Sequence, residues 1–83
     1  MKNNPKIDRL AAVAMYILVS DGKDGMSSEA VARECERDAE KEADREEVDL
    51  ALRALINYEL AVLGEDGLYR PTRAAIEADR LSF

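Results

Sequence analysis

The chain reads as a mainly α-helical domain carrying one small β-hairpin. Three observations predict this. Apolar residues recur at helical spacing in four separate segments. Between Met26 and Leu63 there is no glycine or proline to break a helix. Near the C-terminal end, Leu60-Ala61-Val62-Leu63 and Leu68-Tyr69-Arg70 flank Gly64-Glu65-Asp66-Gly67, two short runs around a turn containing Asp-Gly. With 83 residues, 47% hydrophobic and 36% charged, the sequence suits one domain over 1–83 with a single core, residues 1–5 forming a flexible N-terminus.

Pro5 suits the first turn of a helix, and Ile7, Leu10, Ala11, Ala14, Ile17 and Leu18 follow at helical spacing. Val13, Tyr16 and Val19 widen that stripe nearly all round, so this is expected to be the most buried element. Lys2, Lys6 and Arg9 ahead of the apolar run Leu10–Val19 mimic a signal peptide. However, no small-residue cleavage site follows, and ten helical residues rise only about 15 Å, half a bilayer. The run is therefore read as a core helix, with no membrane role. The segment 20–25, with two glycines and two aspartates, is a loop.

Ser27 or Ser28 can cap a second helix starting near Glu29, whose narrow apolar stripe is Val31, Ala32, Cys35, Ala39 and Ala43. Its other face is laced with acid–base pairs three or four residues apart: Glu29–Arg33, Glu34–Arg37, Asp38–Lys41 and Glu42–Arg45. Asp44-Arg45-Glu46-Glu47 has the pattern of a capping box opening a third helix, with Val48, Ala51, Leu52, Leu55 and Tyr58 on its buried side. One long helix is the competing reading; the change in residue size and phase near Ala43-Asp44 favours two. Leu60 to Pro71 form the hairpin, and Thr72 caps a last helix built on Ala75, Ile76 and Leu81.

Charge is the most informative feature. Residues 29–49 hold ten acids against four bases, a net of −6, while the other 62 residues hold eight of each. The whole net charge of the protein thus comes from one stretch. Histidine is absent, which excludes Ser-His-Asp and Cys-His catalysis, histidine metal sites and histidine pH switches. The single cysteine, Cys35, lies on an apolar stripe. It is expected to be a buried, inert thiol in a cytoplasmic setting. Asp21-Gly22-Lys23-Asp24-Gly25 lacks the ligand alternation and closing glutamate of a calcium loop. Tyr16, Tyr58 and Tyr69 are spaced as core or half-buried residues. No cofactor, metal or catalytic residue is expected.

The order helix, helix, helix, hairpin, helix resembles a winged helix. Ser28-Glu29-Ala30-Val31-Ala32 is similar to the opening of the second helix in helix-turn-helix regulators. Val48, Ala51-Leu52 and Leu55 are similar to the buried face of their third helix, and residues 60–71 with Thr72 resemble the wing. One departure is plain: Ala32 and Val48 lie 16 positions apart, several more than that motif uses, and the insertion is the acidic segment 36–42.

The resemblance implies that the start of the third helix and the wing meet DNA. Here those positions are Asp44, Arg45, Glu46, Glu47, Asp49 and Arg53, with Glu65 and Asp66 at the wing tip. Six of these eight are acids, where duplex binding depends on neutralising phosphates. At about 1 kcal/mol per pair of like charges 4 Å apart in water, six acids offset several kcal/mol of a specific binding gap of about 4–10 kcal/mol.

The expected function is therefore a non-catalytic module that binds a protein partner with a basic surface. The expected contacts are Glu36, Asp38, Glu40, Glu42, Asp44, Glu46, Glu47, Asp49, Glu65 and Asp66. Its sharpest form is a DNA-mimicking inhibitor of a nucleic-acid-binding protein, of the phage anti-defence kind. The alternative is a winged-helix transcriptional regulator, a homodimer in its most effective form, holding DNA through Lys2, Lys6, Arg9, Arg45, Arg53, Arg70 and Arg73.

Overall fold

A computed structural model describes residues 5–39 and 43–81. Its elements run α1 (Pro5–Asp21), α2 (Ser28–Ala39), α3 (Arg45–Asn57), β1 (Ala61–Leu63), β2 (Tyr69–Pro71) and α4 (Arg73–Leu81). This is the expected order of three helices, a hairpin and a fourth helix, an arrangement compatible with a winged-helix shape.

Helix α1 starts at the proline whose fixed φ suits a first turn. Its Ala11, Ala14, Ile17, Leu18 and Val19 are buried. The expectation that this helix is enclosed nearly all round fails. Val13 and Tyr16 remain 38% and 49% exposed, because α2, α3 and the hairpin pack on one side only. Helix α2 is capped by Ser27, whose Oγ accepts the Ala30 N–H at 3.1 Å. It buries only small residues, Val31, Ala32 and Cys35. Helix α2 ends at Ala39, and Ala43 and Asp44 are non-helical, so α2 and α3 are two helices.

Helix α3 is capped by Asp44, whose carboxylate accepts the Glu46 N–H at 2.9 Å. The reciprocal half of the capping box is not made, since Glu47 turns instead to Lys6 at 3.0 Å. Val48, Ala51, Leu52 and Leu55 fill the centre of the core against α1. Tyr58, expected on that buried side, is 67% exposed. The helix has ended by then: Tyr58 is its C-cap, and Glu59 takes φ +61°. The Glu59 N–H donates to the Ile56 carbonyl at 3.0 Å and the Leu60 N–H to the Leu55 carbonyl at 2.8 Å. That is a Schellman stop in which glutamate occupies the left-handed position usually given to glycine.

Strands β1 and β2 pair antiparallel with Ala61 opposite Pro71, Val62 opposite Arg70 and Leu63 opposite Tyr69. Gly67, at φ +78°, makes the tight turn. On its far side β2 gains a one-residue bridge that the loop reading had not foreseen. Met26 and Tyr69 exchange both backbone hydrogen bonds, at 2.7 and 2.9 Å. Gly25 permits that approach: at φ +108°, a side chain there would meet the Leu68 Cβ at 2.9 Å. Thr72 closes the hairpin onto α4. Its hydroxyl donates to the Glu59 carbonyl at 2.7 Å and accepts the Ala75 N–H at 3.2 Å. In α4 only Ala75 is buried, and Leu81, expected to anchor the helix, is 84% exposed.

Candidate functional site

The exposed side of α3 is one continuous helical face. Val48, Ala51, Leu52 and Leu55 point inward, so Glu46, Asp49, Leu50, Arg53 and Asn57, three or four positions apart, point outward. Glu46 and Asp49 make no ion pair or side-chain hydrogen bond among the described residues. Beside them on the same face lies Leu50, 50% exposed. Leu50 was absent from the sequence-derived contacts, although its phase gave the signal: it stands one position out of step with Ala51-Leu52.

The remaining candidate acids divide sharply. Glu47 is held by Lys6 and keeps only 24% of its side chain exposed. Glu36 Oε1 accepts the Ala43 N–H at 3.3 Å, fastening the chain ahead of α3. Asp44 is occupied as the cap. Asp66 is gripped by Arg70, Nη2 to Oδ2 at 2.8 Å and Nη1 to Oδ1 at 3.2 Å. The Arg70 hydrogen bonds, reinforced by the Leu68 N–H, hold the Asp66 carboxyl down at about 2. Glu65 is exposed on the turn. Glu40 and Glu42 lie outside the described residues, as does the side chain of Asp38.

The candidate bases divide too. The expected Glu42–Arg45 pair lies outside the described residues. Arg45 reaches across to α2, its Nη2 donating to Glu29 Oε1 at 2.9 Å, while Arg33 approaches the same oxygen at 3.7 Å. The Arg45 hydrogen bond first, and then the two guanidinium charges, lower the Glu29 pKa. Arg37 pairs with Glu34 at 3.7 Å as the spacing predicted. Arg70, besides Asp66, reaches the Asp24 carbonyl at 3.3 Å. Lys6 is committed to Glu47. Arg9, Arg53 and Arg73 are exposed on three different helices, and Lys2 lies outside the described residues.

Elsewhere the surface offers little chemistry. Among the described residues no acidic, basic or tyrosine side chain is buried, and the Cys35 thiol is enclosed as expected. A shallow apolar groove lined by Ala11, Met15, Leu55 and Leu60 opens between α1 and the end of α3, with Asp8 and Tyr58 at its sides. No described helix is long and apolar enough to cross a membrane. No protein-family model, curated protein or solved structure matches the chain. The likeness to winged helices therefore rests on element order and shape alone.

Proposed function

We propose that this chain is a non-catalytic binding module of winged-helix type that engages a protein partner with a basic surface. One observation carries the reading: Glu46 and Asp49 stand exposed on the outer face of α3 beside the half-exposed Leu50, with no cationic partner among the described residues. In a DNA-binding winged helix that face approaches phosphates, and carboxylates there repel them. Against a cationic protein surface the same charges attract, and a half-exposed leucine supplies the apolar centre that a protein interface uses. A module that displaces nucleic acid from a basic groove is the sharpest form of this reading. The reading is non-catalytic because every described carboxylate faces solvent, without the desolvation that tunes a general acid or base.

The alternative, a DNA-binding regulator, has less to draw on. Lys6, Arg45 and Arg70 are engaged by acids of the same chain, and Arg9, Arg53 and Arg73 sit on separate elements. A titration against a basic-groove nucleic-acid-binding protein in rising salt separates the two. Reversing Glu46 and Asp49 to lysine is expected to weaken binding at least about tenfold, while reversing Glu29 and Glu34 changes it little. Binding indifferent to salt, or untouched by the α3 reversal, overturns the proposal. So does a gel shift on duplex DNA at about 50 mM salt whose retarded band is abolished by Arg53→Glu.

A further inference from the structure

Tyr58 and Asp8, from two different helices, line the same apolar groove. We propose that this groove receives the side chain of one arginine or lysine from a partner protein, its stem along the apolar floor and its cation at Asp8. On α1, Asp8, Ala11, Ala12 and Met15 follow at positions i, i+3, i+4 and i+7, so they share one side of the helix. The other wall is built where α3 stops. There the Leu60 N–H turns back to the Leu55 carbonyl at 2.8 Å, and Leu55, Tyr58 and Leu60 complete the lining. Ala11 and Leu55 are buried and form the floor, whereas Asp8 and Ala12 are exposed and Tyr58 is 67% exposed.

Charge selects the occupant. Asp8 is the one carboxylate in the lining, no base lines the groove, and no described residue pairs with Asp8. A wholly apolar side chain would cover that carboxylate without giving it a partner, which costs free energy, and an acidic one would be repelled. A basic side chain meets both demands, because its methylenes cover apolar surface while its charged head stays at the wet rim. The ring of Tyr58 adds a face that attracts a cation within about 6 Å. The volume of the groove is about 320 Å³, at the lower end of the roughly 300–1,000 Å³ of ligand pockets. That is room for one long side chain and not for a helix. The lining shares no residue with the outer strip of α3, so the site stands whether or not that strip binds.

The test uses the whole chain, labelled at its methionine and leucine methyl groups and followed by NMR. It is titrated with the blocked tripeptide Gly-Arg-Gly and with its citrulline counterpart, which keeps the shape of arginine and loses the charge. The arginine peptide is expected to shift the Met15 and Leu60 methyl signals along a saturable curve, with a Kd at least about threefold tighter than the citrulline peptide. Asp8→Asn is expected to erase that preference, and Tyr58→Ala to weaken arginine binding by a similar factor. Both positions are exposed, so the fold is expected to survive either change. Methyl signals that do not saturate, equal affinity for the two peptides, or a preference that survives Asp8→Asn overturns the proposal. Arginine binding unchanged by Tyr58→Ala overturns it as well. So do shifts that grow with protein concentration alone, by placing a second copy in the groove.

Discussion

Helices α2 and α3 are both rich in acids, four against two bases on α2 and three against two on α3, yet they hold them in opposite ways. On α2, Glu29 is neutralised by Arg45 and Arg33, Glu34 by Arg37, and Glu36 is spent on a backbone N–H. On the outer face of α3, Glu46 and Asp49 have no such partner among the described residues. Their burial differs in parallel: α2 contributes Val31, Ala32 and Cys35 to the core, whereas α3 contributes Leu52, Leu55 and Val48. The lesson is that a charge total says how much acid a segment carries, while packing decides which of it is available to a partner. The better-anchored helix is the one whose outer carboxylates have no cationic partner among the described residues.

The largest test of that contrast removes an anchor from each helix. Leu52 is fully buried, so Leu52→Ala is expected to cost about 2–5 kcal/mol in denaturant unfolding. Cys35→Ala, on the shallower helix, is expected to cost clearly less. Equal losses would mean that both helices anchor the core alike. Next in size is the cap that sets where α3 begins. Asp44→Ala is expected to destabilise by about 1 kcal/mol, since it leaves the Glu46 N–H without its acceptor.

Glu59→Gly acts at the other end of the same helix, and in the opposite direction. It relieves a left-handed conformation that costs a side-chain-bearing residue about 1 kcal/mol. It also keeps the carbonyl that receives the Thr72 hydroxyl, so thermal unfolding is expected to rise by a few degrees.

The smallest effect is on titration, and it sharpens the electrostatic side of the comparison. Arg45→Ala is expected to return the Glu29 carboxyl toward its ordinary range in an NMR pH titration. The wing offers a pH counterpart. Asp66 titrates at about 2 in the folded chain, below its ordinary 3.8. Its contribution to stability is therefore complete at neutral pH, and is lost as pH falls from about 4 through about 2. Arg70→Ala is expected to raise that titration toward the ordinary value. An Asp66 midpoint unmoved by the substitution would detach the carboxylate from the arginine.

Much of the fold was legible along the chain, because its signals are local. Pro5, the Ser27–Ser28 cap, Asp44, the Asp-Gly turn and Thr72 each act within a few residues of themselves. The end of α3 was less legible, since a glutamate does there what a glycine usually advertises. Tyr16, Tyr58 and Leu81 were misjudged for another reason. Apolarity alone does not say whether a neighbouring element arrives to cover a side chain, and on those faces none does. Of the candidate site, the acidity of the segment was legible but the identity of the open acids was not.

What the amino-acid order determined by itself was the sequence of four helices and a hairpin, the inward stripes, and the confinement of net charge to residues 29–49. Tertiary structure alone decided that Arg45 serves Glu29 across 16 positions, that Lys6 claims Glu47, and that Met26 seals one edge of the hairpin. The physical reason is range. Helix periodicity and capping act over three or four residues, whereas ion pairs and strand edges depend on which distant groups the core brings together.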